Sequence, residues 1–299
     1  HIENKFMTKL SFYPSVINRI KKMFEQLNWP IEDLENSEFN LYCNVFSHLM
    51  QQEQEMLLEI TENYLRFDFS RYLPSLKRVL TNLNFDRFNN SRQIYVLPLL
   101  PKGDFLKGTK SGFWMARLFE YNEIKRLGVF NDKRIVVLHK PEQTEDDNTG
   151  LPRNFNRRPE ACLLLVDDFG GSGETAEGAL NYIVDELKID PEKIIIISLI
   201  IQAEGYQRII ERHGVPIAYY EIRNKGISDN FESPKREQFL TLMDDIETML
   251  SVRPENRLGY NQSEALVSLI KTPNNTFPVY WKKTKLSSGA KFTGPFSRL

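Results

Sequence analysis

Apolar residues recur along this chain in two rhythms. Up to about residue 90 they fall three and four apart, as in Val16, Ile17, Ile20, Phe24 and Leu27 and then Leu41, Val45 and Leu49, which predicts amphipathic helices. From residue 91 the pattern changes to short unbroken apolar runs at 94–100, 135–138, 163–166, 194–201 and 217–222. Such runs suit strands buried on both faces, as in parallel sheets. Between them lie helical stretches: 113–126 with Ser111 as its N-cap, then Ala176, Ala179, Leu180, Ile183, Val184 and Leu187 on one face, then Tyr206, Ile209, Ile210 and His213. Residues 234–250 set Phe239, Leu242, Met243, Ile246, Met249 and Leu250 on one face, a further helix. The reading is an α/β fold with a mostly parallel sheet flanked by helices over 91–225. A helical region precedes it at 1–90, and a helix with an irregular segment and a basic tail follows at 226–299. Residues 1–6, ahead of Met7, read as an expression remnant. No internal repeat is visible.

The run at 163–166 ends in Asp167 and Asp168 and a turn, Phe169-Gly170-Gly171-Ser172-Gly173-Glu174-Thr175, that opens onto a helix. A buried strand delivers its last side chains to the carboxyl edge of the sheet, where ligands bind in open α/β folds. Carboxylates there accept hydroxyl protons, and a glycine turn aims backbone N–H groups and a helix N-terminus into one anion-binding concavity. Three other readings stand beside this one. A nucleoside-triphosphate loop requires a Gly-Lys-Ser/Thr ending, and this turn has no lysine. A dinucleotide fingerprint fits Gly171-Ser-Gly173-Glu-Thr-Ala176 loosely, but the next strand ends at Gln202 rather than at an acid. The plainest reading is a tight turn flanked by solvated aspartates.

Four apolar residues, Asp-Asp, three residues and Ser-Gly-x-Thr resemble the signature of the type I phosphoribosyltransferases, which bind 5-phosphoribosyl-1-pyrophosphate, usually with magnesium. The resemblance implies a type I phosphoribosyltransferase-like fold with a hood-like segment near the C-terminus. It implies that Asp167 and Asp168 hold the ribose hydroxyls, and Mg2+ through those hydroxyls or water. Phe169, Gly170, Gly171, Ser172, Gly173, Glu174 and Thr175 would wrap the 5′-phosphate. In the family's element order, the loop after the first strand meets the pyrophosphate. That loop is residues 101–112, with three lysines and three glycines, and it nominates Lys102, Gly103, Lys107, Lys110 and Ser111. On composition alone it is equally a solvated loop. The polar stretch 139–160 takes the place of the mobile catalytic loop, so Arg153, Arg157 and Arg158 would neutralise the leaving pyrophosphate while Glu142, Glu145, Asp146 and Asp147 stay away. A disordered linker is the alternative.

The hood of such enzymes recognises the acceptor, which nominates Tyr260, Asn274, Asn275, Tyr280 and Trp281; the same aromatics read equally as core. Thr-Pro-Asn-Asn-Thr at 272–276 with Tyr280-Trp281 is similar to a phosphoribosyltransferase-like lineage of bacterial conflict and antiphage systems, implying a defence-system protein partner. A homodimer is a further expectation. Family members acting on 6-oxopurines carry an aspartate where this chain has Gly171, so a purine-salvage reaction is disfavoured.

The formal net charge of −1 exerts no global pull toward nucleic acid or membrane. Residues 271–299 are one-sided, with six Lys or Arg and no acid. Interleaved with Phe277, Tyr280, Trp281, Phe292 and Phe296, they read either as a solvated terminus or as an RNA or single-stranded DNA contact. Two cysteines, Cys43 and Cys162, are too few for a disulfide framework, and no signal or membrane-spanning pattern occurs, so a cytoplasmic protein is expected. Besides a transferase, the sequence leaves open a non-catalytic sensor of a phosphoribosyl metabolite and a toxic effector acting on nucleotides or nucleic acid.

Overall fold

The computed structural model describes residues 15–107, 110–144, 149–296 and 298. The expected remnant at 1–6 lies outside them, as do Glu145, Asp146 and Asp147. Contacts divide the chain into two units. One joins the residues up to Asp68 to those from Asn224 onward, and the other runs from Phe69 to Arg223.

The first unit begins with three amphipathic helices: α1 (Ser15–Gln26), α2 (Glu38–Ser47) and α3 (Gln51–Thr61). The Ser37 hydroxyl caps α2 by accepting the Asn40 N–H at 3.2 Å. Phe24 packs edge-on against Trp29, Phe39 and Tyr42. Each helix buries one face only, so three of them cannot close a core without a partner layer.

The second unit is the parallel α/β core. Its five strands are β1 (Gln93–Pro98), β2 (Arg134–Val137), β3 (Ala161–Gly170), β4 (Ile194–Gln202) and β5 (Ile217–Arg223), all parallel, in the order β2-β1-β3-β4-β5. The helices are α4 (Tyr72–Thr81), α5 (Ser111–Leu118), α6 (Glu174–Leu180), which continues as a π-helical turn to Glu186, and α7 (Ala203–His213). All nine residues of β4 are buried, as the unbroken isoleucine run requires. Leu163 and Leu165 of β3 face Ala176, Ala179 and Leu180 of α6 and Ile209 of α7. The chain moves outward from β1 to β2 in one direction and from β3 to β4 in the other, so right-handed crossovers put α5 on the opposite face from α6. The sheet therefore changes direction between β1 and β3, where a crevice opens at the carboxyl ends.

Three local expectations differ. The stretch 113–126 is not one helix: α5 ends at Leu118 and a separate turn of helix spans Asn122–Lys125. Helix α4, read from sequence with the N-terminal helices, packs instead on β4 and β5. The latter part of the 139–160 stretch is not a linker, because Leu151 and Phe155 are fully buried in the core of this unit.

The chain then completes the first unit with α8 (Lys235–Met249) and a turn-rich segment. Val267–Ser268 pairs in parallel with Leu65–Arg66, and Lys283–Lys285 pairs with Lys291–Thr293. Phe277, Tyr280, Phe292 and Phe296 are the partner layer that the N-terminal helices lack: all are at most 3% exposed and share their cluster with Phe24, Tyr42 and Leu57. The tail is therefore core with an exposed basic rim, and those four rings are not free to stack on nucleotides. Among the described residues no helix is long and apolar enough to cross a membrane.

Candidate functional site

Strand β3 delivers Asp167 and Asp168 to the crevice edge, where they are 8% and 4% exposed. The two carboxylates meet the first residues of two different helices. The Ser111 hydroxyl, on the first residue of α5, donates to Asp167 Oδ1 at 2.8 Å. The Asp168 backbone N–H donates to the same oxygen at 2.9 Å. The Tyr72 hydroxyl, on the first residue of α4, donates to Asp168 Oδ2 at 2.7 Å. Burial, and then the adjacent Asp168 charge, hold the Asp167 carboxyl well above its ordinary range, against the Ser111 and Asp168 N–H bonds that favour its charge. Such a pair is poised to receive hydroxyl donors, which stabilise the Asp167 charge that burial opposes.

The turn after the pair is braced from α7. Gly173 adopts φ +86°, a left-handed conformation that favours glycine, and starts α6. Gly205 on α7 lies so close to the turn that a Cβ there would stand 2.0 Å from Gly171 O and 3.1 Å from Gly173 N. Arg208, one turn further along α7, reaches Ser172 O at 3.4 Å and pairs with Glu177 of α6, to which Arg212 also donates at 2.7 Å. Glu174 and Thr175 at the start of α6 are exposed, and Ser172 is buried. The result is a fixed concavity at a helix N-terminus beside two carboxylates, suited to a phosphate ester that also carries hydroxyls.

The family model PRTase-CE matches residues 31–298. The chain belongs to the PRTase-CE family. No curated protein matches it. Among solved structures it is similar to orotate phosphoribosyltransferase from Aeropyrum pernix, at 15% identity over 51% of this chain and 71% of that one, with a TM-score of 0.31. It is also similar to the AQ2163 protein from Aquifex aeolicus, at 14% identity over 71% and 85% of the two chains with a TM-score of 0.29. A hypothetical protein from Neisseria gonorrhoeae with bound ppGpp matches at 10% identity over 61% and 97%, with a TM-score of 0.30.

In this PRTase-CE chain the acid pair and the glycine turn come together at the crevice, and Ser111 joins them, but as a partner of Asp167 rather than as a helix cap. The N-cap of α5 is Lys110. The cations expected around a pyrophosphate are arranged differently. Arg158 donates to Gln93 Oε1 and to the Tyr95 hydroxyl, both at 3.2 Å, and to Asn154 Oδ1 at 2.8 Å. Gln93 is the first residue of β1 and pairs with Ala161, so Arg158 and the adjacent Arg157 sit at the amino edge of the sheet. At ~3.3 Å per residue, that edge is roughly 20 Å from Asp168. The reason is topological: a segment joining parallel strands must descend to the amino edge before it enters the next strand, so residues just ahead of β3 cannot reach its far end. Lys102 pairs with Glu186 and lies over the Tyr182 ring, and Lys110 pairs with Asp104 at 3.0 Å. Gly103 has open space around it. The side chain of Lys107 lies outside the described residues.

The expected acceptor contacts also resolve differently. Asn275 is buried and donates to Ser263 Oγ at 2.7 Å, Tyr280 is buried against Thr61, and Trp281 donates to Thr276 O at 2.7 Å under the Arg298 guanidinium. Asn275 and Tyr280 are packing residues, and Trp281 is half-buried. Two contributors escaped the sequence reading. Tyr72 lies 96 residues ahead of its partner, and Gly205 is an unremarked glycine in a helix.

Two carboxylates do not make a metal cage, and among the described residues no group of three or more His, Cys, Asp or Glu could hold an ion. They do fit a magnesium that arrives with a phosphorylated ligand, since Mg2+ is commonly held by one or two carboxylates together with substrate phosphates and water.

Proposed function

We propose that the chain binds 5-phosphoribosyl-1-pyrophosphate or a related ribose 5-phosphate ligand and transfers the phosphoribosyl group to an acceptor. One observation carries this reading: a buried carboxylate pair adjoins a braced glycine turn at the switch point between β1 and β3. Membership of the PRTase-CE family supports it. In this reading Asp167 and Asp168 take the ribose hydroxyls, and Mg2+ through them or through water. The turn from Gly170 to Thr175 takes the 5′-phosphate. Transfer breaks the bond between ribose C1 and pyrophosphate and forms a bond from C1 to the acceptor. An antiphage setting for this reaction draws support from the resemblance at residues 272–281. Isothermal titration with the diphosphate donor tests the reading. Wild type should bind, and Asp167→Asn/Asp168→Asn should not; equal binding by both, or none by either, overturns it.

A specific observation favours a second reading, a sensor that binds the ligand without turnover. Lys102 and Lys110 are engaged by Glu186 and Asp104, and Arg157 and Arg158 stand at the amino edge of the sheet, so these four expected cations are not gathered around a departing pyrophosphate. Pyrophosphate release measured across candidate acceptors separates the two: a transferase releases it with some acceptor, whereas a sensor binds the donor and releases none.

A further inference from the structure

Tyr72 is 1% exposed, begins α4 and packs its ring 5.6 Å from that of Phe69. Its hydroxyl therefore has a fixed position, and it donates to one chosen oxygen of Asp168, Oδ2. An aspartate carboxylate turns easily about its last torsion, so a rigid donor on one oxygen sets the direction of the other. On the neighbouring carboxylate, Ser111 and the Asp168 N–H share Oδ1 of Asp167. Each acid thus commits one oxygen to these donors, and the two carboxyls lie within hydrogen-bonding reach of each other. We propose that Tyr72 is a positioning residue that aims the second oxygen of Asp168 at a ligand hydroxyl and so gives the site its preference for a sugar phosphate over a phosphate ester without hydroxyls. The inference rests on the phosphoribosyl reading of the site.

The two carboxylates are not equally dependent on their side-chain donors. Asp167 keeps the Asp168 N–H if Ser111 is lost, whereas the Tyr72 hydroxyl is the donor that orients Asp168. Removing Tyr72's hydroxyl should therefore cost more than removing that of Ser111. A donor to a charged acceptor is worth roughly a factor of ten or more in binding.

Titration calorimetry of the full chain with ribose 5-phosphate and with methyl phosphate tests this, because methyl phosphate retains the contacts to the turn and offers nothing to the acids. Tyr72→Phe should lose about tenfold in affinity for ribose 5-phosphate and keep its affinity for methyl phosphate. Ser111→Ala should lose about threefold for the sugar phosphate alone. Equal losses for both esters in Tyr72→Phe would assign Tyr72 to folding only and overturn the proposal, as would an unchanged preference or a larger loss in Ser111→Ala. If the wild type does not distinguish the two esters, the phosphoribosyl reading fails and the proposal with it.

Discussion

Gly205 and Gly171 are in backbone contact across two elements: a methyl group added to Gly205 would stand 2.0 Å from the Gly171 carbonyl oxygen. The turn that holds the candidate anion site is thus shaped from α7 as well as by its own glycines. Gly205→Ala should push the turn outward, and a displacement near 1 Å at a binding loop costs on the order of a hundredfold in function. The expected result is a loss of at least about tenfold in affinity for the diphosphate donor with the fold retained, read by calorimetry alongside circular dichroism. Undiminished binding would show that the turn adapts and that the contact is incidental.

Arg158 offers the converse case. It ties Asn154, Gln93 and Tyr95 together at the amino edge of the sheet. Arg158→Ala should therefore lower stability by about 1 kcal/mol while leaving donor affinity within about twofold. The check is chemical denaturation paired with calorimetry, and a fall in affinity as steep as that of Asp168→Asn would place Arg158 in the site after all.

The contrast between these residues shows what the sequence made legible. Asp167, Asp168 and the turn to Thr175 are contiguous, and a strand, a turn and a helix start can be recognised from local chemistry alone. The strand runs were equally plain, because strands buried on both faces have few polar residues. Tyr72 and Gly205 reach the site through packing of α4 and α7, and no local pattern marks a residue for a tertiary contact. Arg157 and Arg158 differ for another reason: the family's element order assigns the whole stretch 139–160 to a mobile loop over the site, whereas parallel connectivity sends the residues just ahead of β3 to the amino end of the sheet. In the basic tail, charge is visible in the sequence, but the burial of Phe277, Tyr280, Phe292 and Phe296 is hidden, since a turn-rich segment has no helical or strand period to reveal which rings face inward.

Within the first unit, Thr61 joins the N-terminal helices to the C-terminal segment. Its hydroxyl donates to Leu57 O at 2.5 Å and lies 2.5 Å from the Tyr42 hydroxyl and 2.7 Å from that of Tyr280, all of them buried. One proton on Thr61 serves Leu57, so both tyrosines donate to Thr61. Thr61→Val keeps the shape and orphans two buried donors, at roughly 1–3 kcal/mol each. Denaturant unfolding should show that loss, and Thr61→Val combined with Tyr42→Phe and Tyr280→Phe should recover much of it, since replacing all partners leaves nothing unsatisfied. A triple variant no more stable than Thr61→Val would refute the account.

Glu247 makes the same unit sensitive to pH. It is 0% exposed on α8, and its two oxygens accept the Leu258 N–H at 3.0 and 2.9 Å. Burial pushes its carboxyl up to about 7 from an ordinary 4.5, with the Leu258 N–H and the Arg257 charge working in the opposite direction. Between those values the folded state holds a proton that the unfolded chain has released. The sign follows: the contribution of this group to stability is complete below about 4.5 and is lost as pH rises through about 7, by an amount on the order of 3 kcal/mol. Glu247→Gln cannot titrate, so its stability should not carry this decline. Denaturation midpoints from pH 5 to 8 should fall for the wild type relative to Glu247→Gln, and the gap should stop widening above about pH 7. A gap that stays constant across that range would mean that Glu247 is ionised throughout and that the Leu258 N–H, with Arg257, outweighs the cost of burying its charge.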